Sequence, residues 1–314
     1  MELAIKVSLQ VVIIFLYMAV GFVLSKSKKI NTEGVRQVTN ILLLVVTPCI
    51  LIKSYQDKIP EFSSDLLSGL GISALLAILI HFVAIFFSFF FKKEDSGIYK
   101  VNRFASVYSN CGFMAIPLLS ATLGSDGVFY GSAYLAIFTI FYWIHGVIVY
   151  TGTKKSITFK SAFLNPGVIG TFTALLLFLP KIELPDIAME AVSGFAGLNT
   201  PLSMMILGTY LADISFKKAI TRPSLYSVSF LRLILTPAIS VLLITAIRLI
   251  LPFDSIIANA IIIPAACPVA GITALFATKF DNDAYYASEL VALSTLFSIV
   301  TIPLITLFSG LLIK

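Results

Sequence analysis

The sequence predicts an all-α membrane protein of ten spans, folded as two five-span repeats inserted in opposite senses. Three observations predict it: too little charge for a water-facing surface, ten apolar segments joined by short charged connections, and proline-centred helix breaks that recur at one spacing. Of 314 residues, 58% are hydrophobic and 12% charged, and the mean hydropathy is +0.99. A soluble domain carries about 25% charged residues. The deficit excludes a soluble enzyme, a disordered chain and a nucleic-acid binder.

A helix crossing the hydrocarbon needs about 20 mostly apolar residues. Charge clusters delimit ten such segments, near 5-25, 37-54, 65-91, 101-122, 128-151, 162-180, 188-211, 223-250, 255-278 and 284-312. The connections are too short for an extramembrane domain, so residues 1-314 read as one membrane domain. In the first segment, Ala19-Val20-Gly21 has the small-x-small look of a signal-peptide cleavage site. Lys26, Lys28 and Lys29 follow the apolar run instead of preceding it, however, which marks an uncleaved first span. Cys49, Cys111 and Cys267 all lie in apolar runs. They offer neither a disulfide framework nor zinc-ligand spacing and read as packing residues.

The basic residues report orientation. Fifteen of the 22 Lys and Arg fall in the odd-numbered connections, among them Lys26, Lys28, Lys29, Lys92, Lys93, Lys154, Lys155, Lys217 and Lys218. Six lie at the termini or in even-numbered connections, and Arg232 is left inside a span. Because cytoplasmic loops carry the excess of Lys and Arg, both termini are expected outside a cell (inner) membrane. Topology thus accounts for the net charge of +6 without a nucleic-acid partner.

Helix breakers recur between the halves. Val46-Thr47-Pro48-Cys49 in span two and Asn199-Thr200-Pro201-Leu202 in span seven stand 153 residues apart. The same step carries Asn110 and Pro117 of span four onto residues 263 and 270, within the Pro264-Ala265-Ala266-Cys267-Pro268-Val269-Ala270-Gly271 stretch of span nine. Five spans separate equivalent positions, and because five is odd the second repeat enters upside down. Repeat one takes 1-155 and repeat two 156-314. Prolines are common in membrane helices, so the Thr-Pro pairs alone are compatible with ordinary kinks. Spans four and nine each free several backbone groups at bilayer depth. Such breaks occur where the backbone is buried in protein or lines a wet cavity. Two of them imply a site between, with half-helix N-termini suited to an anion and C-terminal ends to a cation.

Several stretches, taken in order, resemble the auxin efflux carrier family of plant hormone carriers and bacterial organic-acid permeases. They are Asn110-x-Gly112-Phe113-Met114-x-Ile116-Pro117-Leu118, Pro201-Leu202-Ser203-Met204-Met205-Ile206-Leu207-Gly208, Arg232 with Thr236-Pro237, the proline doublet of span nine, and Thr301-x-Pro303. Where many relatives have Gly before Ile-Pro, this chain has Ala115. The resemblance implies a fold like that of crossed-helix sodium/proton antiporters and bile-acid symporters, with spans four and nine crossing at Pro117 and Pro268. It also implies a scaffold of spans 1, 2, 6 and 7 that pairs two subunits as a homodimer, and a transport unit of spans 3-5 and 8-10. Substrate would then sit beside Asn110 and the Ala265 to Pro268 stretch. The long cytoplasmic loop of the plant carriers is missing between spans five and six, so substrate identity does not carry over.

Most polar residues within the spans admit two roles. Arg232 lies roughly 13 Å into span eight, where a charge is costly and needs a partner. Contact with substrate or a gate, and a structural ion pair with Glu289 or Asp213, are both open. Asn110, in the polar run from Ser106, can donate to a carboxylate or cap the second half-helix. His81 and His145 could titrate near neutrality or hydrogen-bond a neighbouring helix. Ser288, Thr295, Ser298 and Thr301 follow helical spacing and either line the site or join helices. Asp281, Asp283 and Glu289 form an acidic inner cluster.

No H-E-x-x-H, Walker A or G-x-S-x-G motif is present, so neither an ATP-driven pump nor an enzyme is indicated, and no metal or cofactor is expected. An intramembrane enzyme would need clustered His, Asp or Cys at depth. A sodium/proton antiporter would carry carboxylates beside the crossover, and none stands there.

The expected function is therefore secondary transport of a small organic anion within the lipid bilayer, by elevator-like alternating access. The alternative is a sodium- or proton-coupled carrier of the same fold with another substrate. The candidate substrate-binding set is Asn110, Cys111, Gly112, Pro117, Ala265, Ala266, Cys267, Pro268, Arg232, Thr47, Pro48, Thr200, Pro201, Thr295 and Ser298, with His81, His145 and Glu289 as candidate coupling residues.

Overall fold

The computed structural model describes residues 2–92, 98–154, 164–212, 214 and 219–313. Lys93, Lys155, Lys160, Asp213, Lys217, Lys218 and Lys314 lie outside them. Among the described residues every regular element is helical, apart from one isolated antiparallel bridge. The helices are α1 (Glu2–Lys26), α2 (Thr32–Ile41), α3 (Thr47–Gln56), α4 (Ser64–Ser88), α5 (Ile98–Val107), α6 (Ile116–Phe141), α7 (Val147–Thr151) and α8 (Pro166–Phe178). They continue with α9 (Asp186–Gly197), α10 (Asn199–Ala212), α11 (Pro223–Phe230), α12 (Thr236–Ile250), α13 (Ser255–Ala266), α14 (Ile272–Lys279) and α15 (Ala284–Leu312).

Among the described residues, seven helical stretches are long and apolar enough to cross a membrane: Glu2–Lys26, Thr32–Glu61, Ser64–Ser88, Cys111–Thr151, Asp186–Ala212, Pro223–Ile250 and Ala284–Leu312. Two shorter apolar helices, Pro166–Phe178 and Ser255–Ala266, accompany them. The difference from ten expected spans has local causes. Spans four and five run together in the 41-residue stretch, in which Gly124, at φ 65° and ψ −151°, turns the chain with almost no loop. Only a residue without Cβ takes that conformation freely. Span nine is cut in two, and α8 is short because its start is fixed at Pro166 by the Asn165 cap, whose Oδ1 accepts from Gly167 N at 3.0 Å; residues 162 and 163 of the expected span lie outside the described residues.

Proline explains the helix irregularities. Wide five-residue π turns at Leu42–Val46, Cys111–Ala115 and Leu231–Leu235 each end one residue before a Thr-Pro or Ile-Pro pair, with Pro48, Pro117 and Pro237. The proline ring lacks an N–H and clashes with the carbonyl four residues back, so the preceding turn widens to clear it. A fourth wide turn, Tyr142–Gly146, has no proline after it, and nothing in its packing explains it.

Close helix contacts sort into two groups. In the first, α1 crosses α10 at backbone contact, where Gly21 faces the carbonyl of Met205 and Gly208 that of Met18. Likewise Gly170 of α8 lies against Pro48 of α3. In the second, Gly69 of α4 packs on Tyr130 and Ile257, and Gly131 of α6 packs on Leu119 and the Ala260 carbonyl.

The end of α3 is tied to the Gly124 corner by charge. Lys58 Nζ pairs with Glu61 Oε2 at 2.7 Å and with the Asp126 carboxylate, and only 8% of its side chain is exposed. Replacing Lys58 by Met is expected to lower stability by about 1–2 kcal/mol, the range for a partly shielded hydrogen bond to a charged group. Thermal unfolding in detergent checks this, and salt should weaken the wild type more than the variant.

Candidate functional site

α5 stops at Val107 and α13 stops at Ala266, leaving two extended segments that meet. Ser109 and Val269 form the antiparallel bridge, Asn110 N donates to Pro268 O at 2.7 Å, and Ala270 N donates to Tyr108 O at 3.0 Å. Val269 N donates to Ser294 Oγ of α15 at 3.1 Å. Buried backbone groups freed by a break must find partners, and here each break supplies partners for the other. The helix ends stand 159 positions apart, not 153. The step that relates the Thr-Pro pairs lands on Ile263, inside α13, so six more residues separate the landmarks in the second half.

Arg232 is fully buried in the wide turn before Pro237. Its guanidinium donates from Nε to Cys267 O at 3.3 Å, from Nη1 to Val107 O at 3.2 Å, and from Nη2 to Ala265 O. These are the carbonyls that the ends of α5 and α13 leave without intrahelical partners. The Tyr134 hydroxyl lies beside the guanidinium and hydrogen-bonds Ser109 Oγ at 3.3 Å. An ion pair between Arg232 and Glu289, one of the readings the sequence leaves open, is not formed. Glu289, also fully buried, instead pairs with Arg222 Nη1 at 3.1 Å. Glu289 lies five residues, roughly 7.5 Å along a helix, before Ser294, and the nearer backbone carbonyls take the arginine. Asp213 lies outside the described residues.

Asn110 caps the helix that follows. Its Oδ1 accepts from Phe113 N at 3.3 Å and its backbone carbonyl accepts from Met114 and Ala115. Asn110 as a whole is only 4% exposed, and its Nδ2 has no hydrogen-bond partner. Beside it, a Cβ added at Gly112 would meet only Leu135, at 3.9 Å, so there is room on that face. Phe113 packs against the cluster of Val35, Leu42, Val46 and Ile206, which belong to the helical stretches that carry Thr47-Pro48 and Thr200-Pro201. Cys111, Ala265, Ala266 and Cys267 are buried at the breaks themselves.

The two histidines gather around Tyr108. The Tyr108 hydroxyl lies within hydrogen-bond distance of Phe141 O, at 2.9 Å, and of His145 Nδ1, at 2.8 Å. His81 Nδ1 bonds Ala77 O at 2.7 Å, while its Nε2 is buried without a partner. The His81 ring lies among Tyr108, Tyr134, Phe138 and Phe141. Thr295 bonds its own helix at Val291 O, and Ser298 bonds Thr295 O and reaches Met114 Sδ at 4.0 Å. Ser109 belongs to the polar run that ends at Asn110, whereas Ser294 and Tyr134 are absent from the sequence-based candidates. Ser294 stands one turn before Ser298 and helical spacing could have found it, whereas Tyr134 has no local signal.

An uncharacterized transporter of Methanothermobacter thermautotrophicus is 26% identical over 204 residues, which cover 64% of this chain and 65% of that protein. The match therefore spans somewhat less than two thirds of the relative's length. A family model described as membrane transport protein matches residues 6–306, nearly the whole chain. Its proline-broken helices, paired breaks and buried arginine are thus those of a member of the membrane transport protein family, the family of the auxin efflux carriers.

Proposed function

We propose that the chain is a secondary carrier for a small organic anion and that the anion binds where the two breaks meet. The observation that carries this reading is the Asn110 amide: a buried donor without an acceptor, at the start of a helix, beside Gly112, where an added Cβ would meet only Leu135. A buried donor left unsatisfied costs about 1–3 kcal/mol, and a carboxylate satisfies it while meeting the positive end of the helix dipole.

In the same proposal the chain makes ten spans as an inverted five-plus-five repeat, with both termini outside the inner membrane. Two features support the repeat: α1 packing on α10 and α8 packing on α3 are equivalent contacts between halves, and the breaks occupy equivalent spans. The first group of glycine contacts would belong to a scaffold of spans 1, 2, 6 and 7, and the second to a unit of spans 3-5 and 8-10 that moves against it. Pairing of two copies through the scaffold rests on the family likeness.

The test is a melting-temperature screen of mono- and dicarboxylates followed by uptake into liposomes. A bound ligand raises stability by RT ln(1 + [L]/Kd). Asn110→Ala is expected to keep its fold and to weaken binding roughly ten- to hundredfold, the worth of one hydrogen bond to a charged acceptor. Unaltered binding and uptake by that variant would remove Asn110 from the site.

A further inference from the structure

We infer that Arg232 is a resident cation, standing where a carrier of this architecture could otherwise take a metal ion from solution, and that the wild-type protein needs no added alkali cation at the meeting of the breaks. Three observations support this. The guanidinium spans both half-helices, touching the last residue of α5 and two carbonyls at the end of α13. It is fully buried, and among the described residues no carboxylate forms an ion pair with it. Three convergent backbone carbonyls are hard oxygen ligands of the kind that hold small cations, and all three are taken by its N–H groups.

The charge balance agrees. Each helix C-terminus carries about −0.5 of an elementary charge, so two ends together match one guanidinium. With that pair closed, the helix start that follows Asn110 has only a neutral cap, Asn110 Oδ1 on Phe113 N at 3.3 Å, and its positive end is left for an anion. The inference rests on the anion reading for its consequence: the substrate would cross without an alkali cation bound at this place. The resident cation itself rests on the hydrogen bonds alone.

The wide turn explains how an arginine reaches this place. Pro237 opens the ladder at Leu231–Leu235, and the side chain leaves the helix within that turn. Lysine could replace the charge but not the fork, since one ammonium cannot meet three carbonyls from two helices with planar, fixed donors.

The test uses the full-length protein in detergent, with melting temperature read in sodium, potassium and N-methylglucamine chlorides at equal ionic strength. The wild type should melt at the same temperature in all three. Arg232→Gln should melt lower by about 5 °C or more and should recover part of the loss with millimolar methylguanidinium or sodium, but not with N-methylglucamine. Arg232→Lys should lie between and show a smaller recovery. A role in packing alone would lower the melting temperature without creating the cation response.

The inference is overturned if the wild type requires sodium for stability or uptake, or if Arg232→Gln melts like the wild type with no response to cations. Where Arg232→Gln cannot be purified, the wild-type comparison and the Arg232→Lys recovery decide. A wild type indifferent to cations that binds no carboxylate refutes the anion reading and leaves the resident cation in place. Carboxylate binding that demands sodium does the reverse.

Discussion

Replacing Gly208 by Leu is expected to leave little or no folded protein in detergent extracts. An added Cβ at this position falls on the carbonyl oxygen of Met18, and the reciprocal atom at Gly21 falls on the carbonyl of Met205. The obstacle is backbone, which cannot rotate away as a side chain would, so even Ala must push α1 from α10. Overpacking of a tight site costs about 1–3 kcal/mol, and a branched side chain against backbone exceeds the range for one methyl. Helices in lipid associate through such close approach, since the hydrophobic effect gives no preference for a neighbouring helix over lipid. Gly194→Ala is the control, because nothing lies within 4 Å of its added Cβ. Gel filtration and thermal unfolding of Gly208→Ala, Gly208→Leu and Gly194→Ala check the order. Equal melting of Gly208→Ala and wild type would mean that the helices are not in backbone contact.

Ala270→Pro is expected to disrupt the meeting of the two breaks with a comparably large loss. The Ala270 amide donates to Tyr108 O at 3.0 Å, and the residue is 3% exposed. Proline removes the donor, leaves the Tyr108 carbonyl buried without that partner, and restricts the preceding Val269, whose own amide bonds Ser294. The lost hydrogen bond accounts for about 1–3 kcal/mol, and ring strain in the bridge adds to it. Thr278→Ala on the following helix, whose hydroxyl is exposed and bonds only its own turn, should melt like the wild type. The measurement is the difference in melting temperature, read together with carboxylate binding. Both should fall in Ala270→Pro.

Much of the architecture was legible in the sequence because it is local. The span from 223 to 250 and the one from 284 to 312 coincide with the helical stretches Pro223–Ile250 and Ala284–Leu312, since charge clusters and apolar length decide where such helices can begin and end. The breaks in spans four and nine were signalled by Asn, Gly and Pro, which act on their own turn of helix. Spans four and five, read as separate segments, are parted at Gly124, whose φ of 65° turns the chain in a single corner. One feature escaped. The break-to-break spacing is 159 rather than 153, because unequal lengths of chain run between the Thr-Pro pair and the break in the two halves.

For the site, the residue types were legible and their partners were not. Asn110 and Arg232 stood out as polar groups in apolar runs, which is a property of each segment alone. That Arg232 bonds Val107, 125 residues away, and Ala265, 33 away, depends on which helices become neighbours. A sequence contrasting Glu289 with Asp213 as its partner considers only side-chain charges, whereas the broken helices also offer backbone carbonyls at closer range.

By itself, then, the sequence determined that this chain is a membrane protein, where its helices run, and which of them must break. Hydropathy, charge and proline each act within a few residues. Only the tertiary structure decided that the two breaks pair with each other, that one arginine closes both, and that the Asn110 amide is left over. Satisfying a buried polar group depends on whatever the folded chain brings within about 3 Å of it.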